Sequence, residues 1–406
     1  MKTLSSFHTV SQFFTSLDRN VIAILLVNLI WTIPWGLSQP FISPYFFEIS
    51  KGDYFLTGLL NGLPYVTMIV SIFIWGTLVD RIGSKIVMLT GFLIFLVLFL
   101  TLIVITDPFL FFLDYVIINS LLACFGPAVL KYASLTGKKD IFGALAASTS
   151  LGYFFGSVLA GFMFEPLGMN TLFLIALGVC ILGLIITSFT QDLRESPQET
   201  TGSSSNPVNP TSSTIITTLF KSKVLIVIFV IAILSNFQGA ISGTFITVYF
   251  LDELGAPAVL IGIIFGIITL SGTVASHFAG KIGEKRGFKE IMFICYFATL
   301  LVWGSFIISP DNYMLPAISY TLPTYVGLIV AGPALVADNI TESRRGAFMG
   351  IFGACQYFGL AVGSIVGGIY AGIQGTFRYN FVISAFFALI LVVIIALFVK
   401  NGVKTD

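Results

Sequence analysis

This chain is poor in charge. Only 10% of its 406 residues are Asp, Glu, Lys or Arg, whereas about a quarter of a soluble domain is charged, so the chain cannot present a water-covered surface. Histidine is almost missing: His8 and His277 are the two present. No Ser/His/Asp set, carboxylate pair or metal-ligand cluster gathers around them, and no phosphate-binding loop of the nucleotide-hydrolysing type occurs, so no enzyme activity, cofactor or metal is expected. Cys124, Cys180, Cys295 and Cys355 stand singly in apolar runs without C-x-x-C spacing, which argues against a disulfide frame or a zinc site. With 20 basic against 19 acidic residues the net charge is +1. There is no basic field to hold nucleic acid.

What remains is apolar: 56% of residues, with 41 Phe and a mean hydropathy of +0.99. About 20 apolar residues span a bilayer, and runs of that order lie near 20–47, 55–78, 86–106, 109–131, 143–164, 170–190, 223–250, 257–280, 289–309, 314–337, 347–372 and 379–399. They are too long and too uniformly apolar for barrel strands. The expected fold is an all-α polytopic membrane protein of twelve helices. Lys2, His8, Asp18 and Arg19 precede a long first run without a cleavage site, so no removable signal peptide is expected.

With both termini placed in the cytoplasm, every Lys and Arg except Lys51 and Arg378 falls on the inner side, while the outer loops carry Glu48, Asp53, Asp107, Glu165, Asp252, Glu253 and Asp311. This follows the positive-inside rule and sets the expected orientation in the cell membrane.

The tract 191–218 is rich in Ser, Thr, Pro, Asn and Glu and cannot bury enough surface to pack. It reads as a cytoplasmic linker between six-helix bundles at 1–190 and 219–406. The halves repeat. Gly76-Thr-Leu-Val-Asp80-Arg81-Ile-Gly83-Ser-Lys85 returns 204 positions later as Gly280-Lys-Ile-Gly-Glu284-Lys285-Arg-Gly287-Phe-Lys289, and Gly126-Pro127-Ala128 returns 206 later as Gly332-Pro333-Ala334. Gly152, Gly156 and Gly161, in a small-residue run, return 207 later as Gly359, Gly363 and Gly368, with Gly367 beside the last. Tyr45-Phe-Phe-Glu48 returns as Tyr249-Phe-Leu-Asp252. An even number of spans per half makes the repeats parallel, related by an axis along the membrane normal.

The Gly76 to Lys85 stretch, read as the short cytoplasmic loop between the second and third spans, resembles the signature loop of the major facilitator superfamily. Its weaker copy, the six-plus-six layout and the linker resemble that family over essentially the whole chain. The sequence departs from the pattern at Ser84, where a second basic residue is common, and at Ser157, where the glycine-rich fifth span would carry proline.

Read physically, the Asp80 loop and its Glu284 copy form a cytoplasmic gate. A carboxylate there can cap a helix N-terminus or pair with a cation, and Arg81, Lys85, Lys285 and Lys289 can hold helix C-termini. Glycines at 152, 156, 161, 359, 363 and 367 let helices approach closely in lipid. On the first span Asn28, Trp31, Trp35 and Gln39 fall within about an 80° arc, a polar stripe that is not expected to face lipid. The seventh span offers Ser235, Gln238 and Ser242 with similar spacing. In the family the first, fourth, seventh and tenth spans surround a central cavity, so the resemblance adds Asn119, Tyr320 and Thr324; Thr149 and Gln356 are equivalent through the repeat. Asp114 is the one acid clearly within a span, about five residues or 8 Å from the outer side. If it is solvated in one state and desolvated in another, it is a candidate for proton coupling.

These features point to a secondary transporter, a monomer working by alternating access and driven by protons. A cavity that is aromatic and neutral-polar suits an uncharged, amphipathic or weakly cationic small organic solute. Export of amphipathic compounds is favoured by the aromatics; uptake of a neutral metabolite such as a sugar is favoured by the amides. A non-transporting receptor would need a soluble output domain larger than the linker.

Overall fold

The computed structural model describes residues 19–136, 141–193, 222–309 and 311–399. Both chain ends with Lys2, His8, Asp18, Lys400 and Lys404, the cations Lys138 and Lys139, and the linker from residue 194, with Arg194 and Lys221, lie outside them.

Lipid offers no hydrogen bonds, so each spanning segment satisfies its own backbone as helix. The helices are α1 (Arg19–Ile49), α2 (Tyr54–Ile82), α3 (Ser84–Val104), α4 (Pro108–Leu122), α5 (Phe125–Leu135), α6 (Ile141–Ser188), α7 (Lys223–Gly243), α8 (Ile246–Val248), α9 (Ala258–Arg286), α10 (Phe288–Ile308), α11 (Met314–Tyr320), α12 (Val326–Asp338), α13 (Glu342–Gln374) and α14 (Arg378–Phe398). Among the described residues, ten helical segments are long and apolar enough to cross a bilayer. Helix α6 holds two of the expected spans, kinked at Gly168 with φ 73° and ψ 171°, and α11 with α12 forms the broken tenth span, which accounts for all twelve. The fourth span is also interrupted, between α4 and α5.

The signature stretch is not a loop. Asp80 and Arg81 lie in the last turn of α2, and Glu284 to Arg286 in the last turn of α9. Single glycines make the whole connection: Gly83 (φ 91°) joins α2 to α3, and Gly287 (φ 97°) joins α9 to α10. That backbone conformation strongly favours glycine, and it lets the charged ends stay helical.

The two ends differ in charge. Arg81, Lys85, Lys131, Arg286 and Lys289 mark a basic end; Glu48, Asp53, Glu165, Asp252 and Asp311 mark an acidic end. Within each half, small residues dock one helix on another. A side chain on Gly156 would come within 2.9 Å of Gly36 Cα on α1, and Gly152 lies against Leu29 and Thr32. In the second half Gly359, Gly363 and Gly367 lie against the backbone of Ile233, Phe237 and Ile241 on α7. Between halves, Gly58 faces Gly368 and Gly161 faces Gly262, where an added Cβ would sit 3.0 Å from the opposite Cα. Gly161 thus belongs to the interface between halves, whereas the other packing glycines serve within a half. Further contacts join the halves at the acidic end: Tyr54 Oη donates to Gly375 O at 3.0 Å, and Glu165 Oε1 accepts from Ala258 N–H at 2.7 Å. Glu165 thereby caps α9 from across the interface.

Candidate functional site

Two adjoining cavities of about 230 Å³ each, one within the second half and one between the halves, share Gly239, Tyr320 and Leu360. One is lined by Ser235, Asn236, Gln238, Tyr296, Trp303, Thr324, Tyr325 and Gln356 among others. The second draws on both halves: Gln39, Ser43, Asn61, Tyr65 and Tyr153 face Thr244, Thr247, Phe265 and Ser364. No Asp, Glu, Lys, Arg or His is among the lining residues. The walls are amides, hydroxyls and aromatic rings.

Hydrogen bonds hold these groups in place. Gln39 Nε2 donates to Tyr115 Oη at 3.0 Å, and Trp303 Nε1 donates to Gln238 Oε1 at 2.7 Å. Tyr296 Oη donates to Ser235 Oγ, and Asn61 Nδ2 reaches Ser43 Oγ at 3.0 Å. Gln39 keeps its carbonyl oxygen and Gln238 its NH₂ without partners among the described residues. Tyr65 and Tyr357 stack across the interface with ring centroids 6.1 Å apart.

Of the cavity residues expected from sequence, Gln39, Ser235, Gln238, Tyr320, Thr324 and Gln356 line this space. The rest of the first-span stripe is spent inside its own bundle. Asn28 Nδ2 lies within 3.1 Å of Leu145 O, Ser148 Oγ and Thr149 Oγ1, tying α1 to α6. Trp31 stacks on Phe125 at 3.7 Å, and Trp35 meets Phe95 edge-on at 5.3 Å. Asn119 Nδ2 donates to its own helix at Tyr115 O, and Ser242 pairs with buried Ser384. Each of these polar groups satisfies a helix-to-helix or local bond, which lipid-embedded helices need. Sequence reading missed Asn61, Tyr65, Tyr153, Asn236 and Trp303. A signal was present: Asn61 and Phe265 are 204 positions apart, Tyr153 and Leu360 are 207 apart, and all four line the cavity.

Asp114 Oδ2 lies 2.7 Å from the Thr101 hydroxyl, bridging α4 and α3, and lines neither cavity. At the basic end Lys131 Nζ pairs with Asp80 Oδ1 at 2.7 Å, joining α5 to α2 within one half. Lys85 Nζ donates to Ser188 O and Thr190 O at the end of α6, both at 2.7 Å, and its repeat copy Lys289 donates to Ala396 O at 2.8 Å. Both lysines therefore sit at helix C-termini, where the dipole favours a cation. Glu284 has no ion-pair or hydrogen-bond partner among the described residues. Asp80→Asn should leave thermal stability within about 1 kcal/mol, because the pair is solvent-exposed. It should lower turnover more than Glu284→Gln, which breaks no bond seen here. Equal activity in both variants would reduce the pair to a surface contact.

Comparison with known proteins is consistent along the chain. A family model described as Major Facilitator Superfamily matches residues 10–332 and 324–405. The chain is 29% identical over 127 residues to the uncharacterized MFS-type transporter YuxJ of Bacillus subtilis, a match spanning 31% of this chain and about a third (32%) of that relative. It is 23% identical over 367 residues to the multi-drug resistance efflux pump PmrA of Streptococcus pneumoniae, covering 86% of this chain and 88% of the pump. The solved structure of the nucleoside transporter NupG superposes with a TM-score of 0.75 at 16% identity, over 95% of this chain and all (100%) of that one.

Proposed function

Because this chain belongs to the Major Facilitator Superfamily, we propose that it is a secondary active transporter carrying an uncharged or weakly cationic amphipathic solute by alternating access, with efflux as its direction. The observation that carries the reading is the cavity between the halves, walled by amides, hydroxyls and rings and lined by no charged residue. An anion such as phosphate would call for Lys or Arg there. Aromatic faces take the flat apolar part of a solute, and Gln39 and Gln238 take its polar atoms. The 86% coverage by an efflux pump supports export. The amide-rich wall, with the nucleoside transporter's shared fold, supports a second reading, uptake of a neutral metabolite. A thermal-shift screen of neutral, cationic and anionic compounds at two pH values tests the solute class. Stabilisation by anions alone would overturn it.

The distribution of cations supports a cytoplasmic basic end. A single cysteine at position 311 should be labelled from outside, and one at 205 should be spared; the reverse would invert the orientation. The contacts at Tyr54, Glu165 and the paired glycines support a conformation closed on the outside.

Proton coupling through Asp114 is the finer step of the proposal. Since Asp114 lines neither cavity, it would act through its Thr101 contact with α3. In proteoliposomes, Asp114→Asn should abolish accumulation driven by a pH gradient while solute exchange at equal pH survives. Continued accumulation would move the proton site elsewhere.

A further inference from the structure

A third cavity, of about 290 Å³, opens on the lipid-facing side of the second half between α9, α10 and the break between α11 and α12. Its lining is apolar apart from Thr324 and the Cys295 thiol. On α9 it is built by Ala275, Phe278, Ala279 and Ile282, spaced i, i+3, i+4, i+7 on one face. Phe278 is 57% exposed at the rim, in a segment that crosses the membrane.

Two further features say what fills it. Lys285 and Arg286 follow Ile282 by three and four residues, so they continue the same helical stripe to the basic end. Both are exposed and have no partner among the described residues. Glu284 and Glu290 are the nearby acids; with Lys281 and Lys289 the rim stays net positive. From Ala275 to Arg286 the stripe rises about 16 Å, close to the roughly 15 Å of one leaflet of a 30 Å hydrocarbon core. The groove itself covers about 10 Å of that stripe, from Ala275 to Ile282, and the two unpaired cations stand one helical turn beyond it; groove and cations together match the outline of a phospholipid.

We infer that the groove holds one anionic phospholipid of the leaflet at the basic end, with an acyl chain against Phe278 and Pro323 and the phosphate at Lys285 and Arg286. Thr324 lines both this groove and the central cavity, so the lipid packs against the wall of the solute site.

The test uses the purified full chain and native mass spectrometry with phosphatidylglycerol or phosphatidylcholine. One phosphatidylglycerol should be retained per chain in preference to phosphatidylcholine. Lys285→Gln with Arg286→Gln should weaken its retention about thirtyfold, each cation near a membrane surface contributing roughly a fivefold effect. Ala298→Trp fills the groove and should expel both lipids. A second measurement does not depend on those variants. With Cys295 as the sole cysteine, phosphatidylglycerol vesicles should slow maleimide labelling relative to phosphatidylcholine vesicles, and inorganic phosphate should have no effect. Equal retention of the two lipids, retention unchanged in the folded double variant, or equal labelling rates would overturn the assignment.

Discussion

Gly262→Leu should leave the chain folded but cut transport by more than tenfold. Gly262 lies on α9 against Gly161 on α6, and a Cβ there would come within 2.8 Å of Gly161 Cα and overlap Ser157 O. The clash exists only while the halves meet at the acidic end. Overpacking of this kind costs about 1–3 kcal/mol, charged to the closed conformation alone, and so shifts the population toward the opposite state. Gly156→Leu is the contrast. Its Cβ would meet Gly36 Cα at 2.9 Å inside one bundle, in a contact expected to persist in both states, so the loss should appear as a lower melting temperature and less folded protein. Impermeant maleimide, applied from the acidic side to a cysteine at cavity position 61, reads the shift directly. Labelling should rise in Gly262→Leu and not in a neighbouring lipid-facing variant such as Ile263→Ala. If Gly262→Leu instead unfolds the chain and Gly156→Leu does not, the division between packing within and between halves is wrong.

Removing Gln39 or Gln238 should separate from removing Asn28 in kind as well as size. Gln39→Ala and Gln238→Ala each strip a hydrogen-bonding group from the cavity wall. Leaving a solute's polar atom unpaired there costs about 1–3 kcal/mol, or roughly fivefold to 150-fold in binding. Melting temperature should move little in Gln39→Ala, whereas Gln238→Ala also leaves the buried Trp303 N–H unpaired and should lower it. Asn28 is buried and bonds α1 to α6 at Leu145, Ser148 and Thr149, so Asn28→Ala should lower the melting temperature and leave affinity near that of the unaltered chain. Binding isotherms beside thermal melts on the same samples decide it. Unchanged affinity in both glutamine variants would empty the cavity of its proposed role.

Both experiments turn on a distinction that helical periodicity cannot make. Asn28 and Gln39 share a stripe on α1, but the helix is buried on nearly all sides, so residues eleven apart on one stripe meet different neighbours. Asn28 meets α6 of its own bundle, and Gln39 reaches the gap between bundles. Asn61 and Tyr153 carried no local mark because a lone polar group in an apolar run reads the same whether it bonds a helix or a ligand. The repeat offset was the one sequence signal able to select them.

The sequence by itself determined that the chain spans the membrane, where its helices lie, that its halves repeat, and which family it belongs to. Those follow from local quantities: the length of apolar runs, the side on which cations fall, and motifs fixed in register. Only the tertiary structure decided that Asp80 and Glu284 ride on helix ends rather than in loops, because a single glycine at positive φ suffices for each connection. Only it decided which glycines join the halves and which build them, which polar groups face the cavity, and that an apolar groove on α9 stops one turn short of Lys285 and Arg286. Each of these depends on which face of one helix meets which face of another, and helix pairing in lipid is set by small residues and hydrogen bonds contributed from both sides at once. No single segment carries that information.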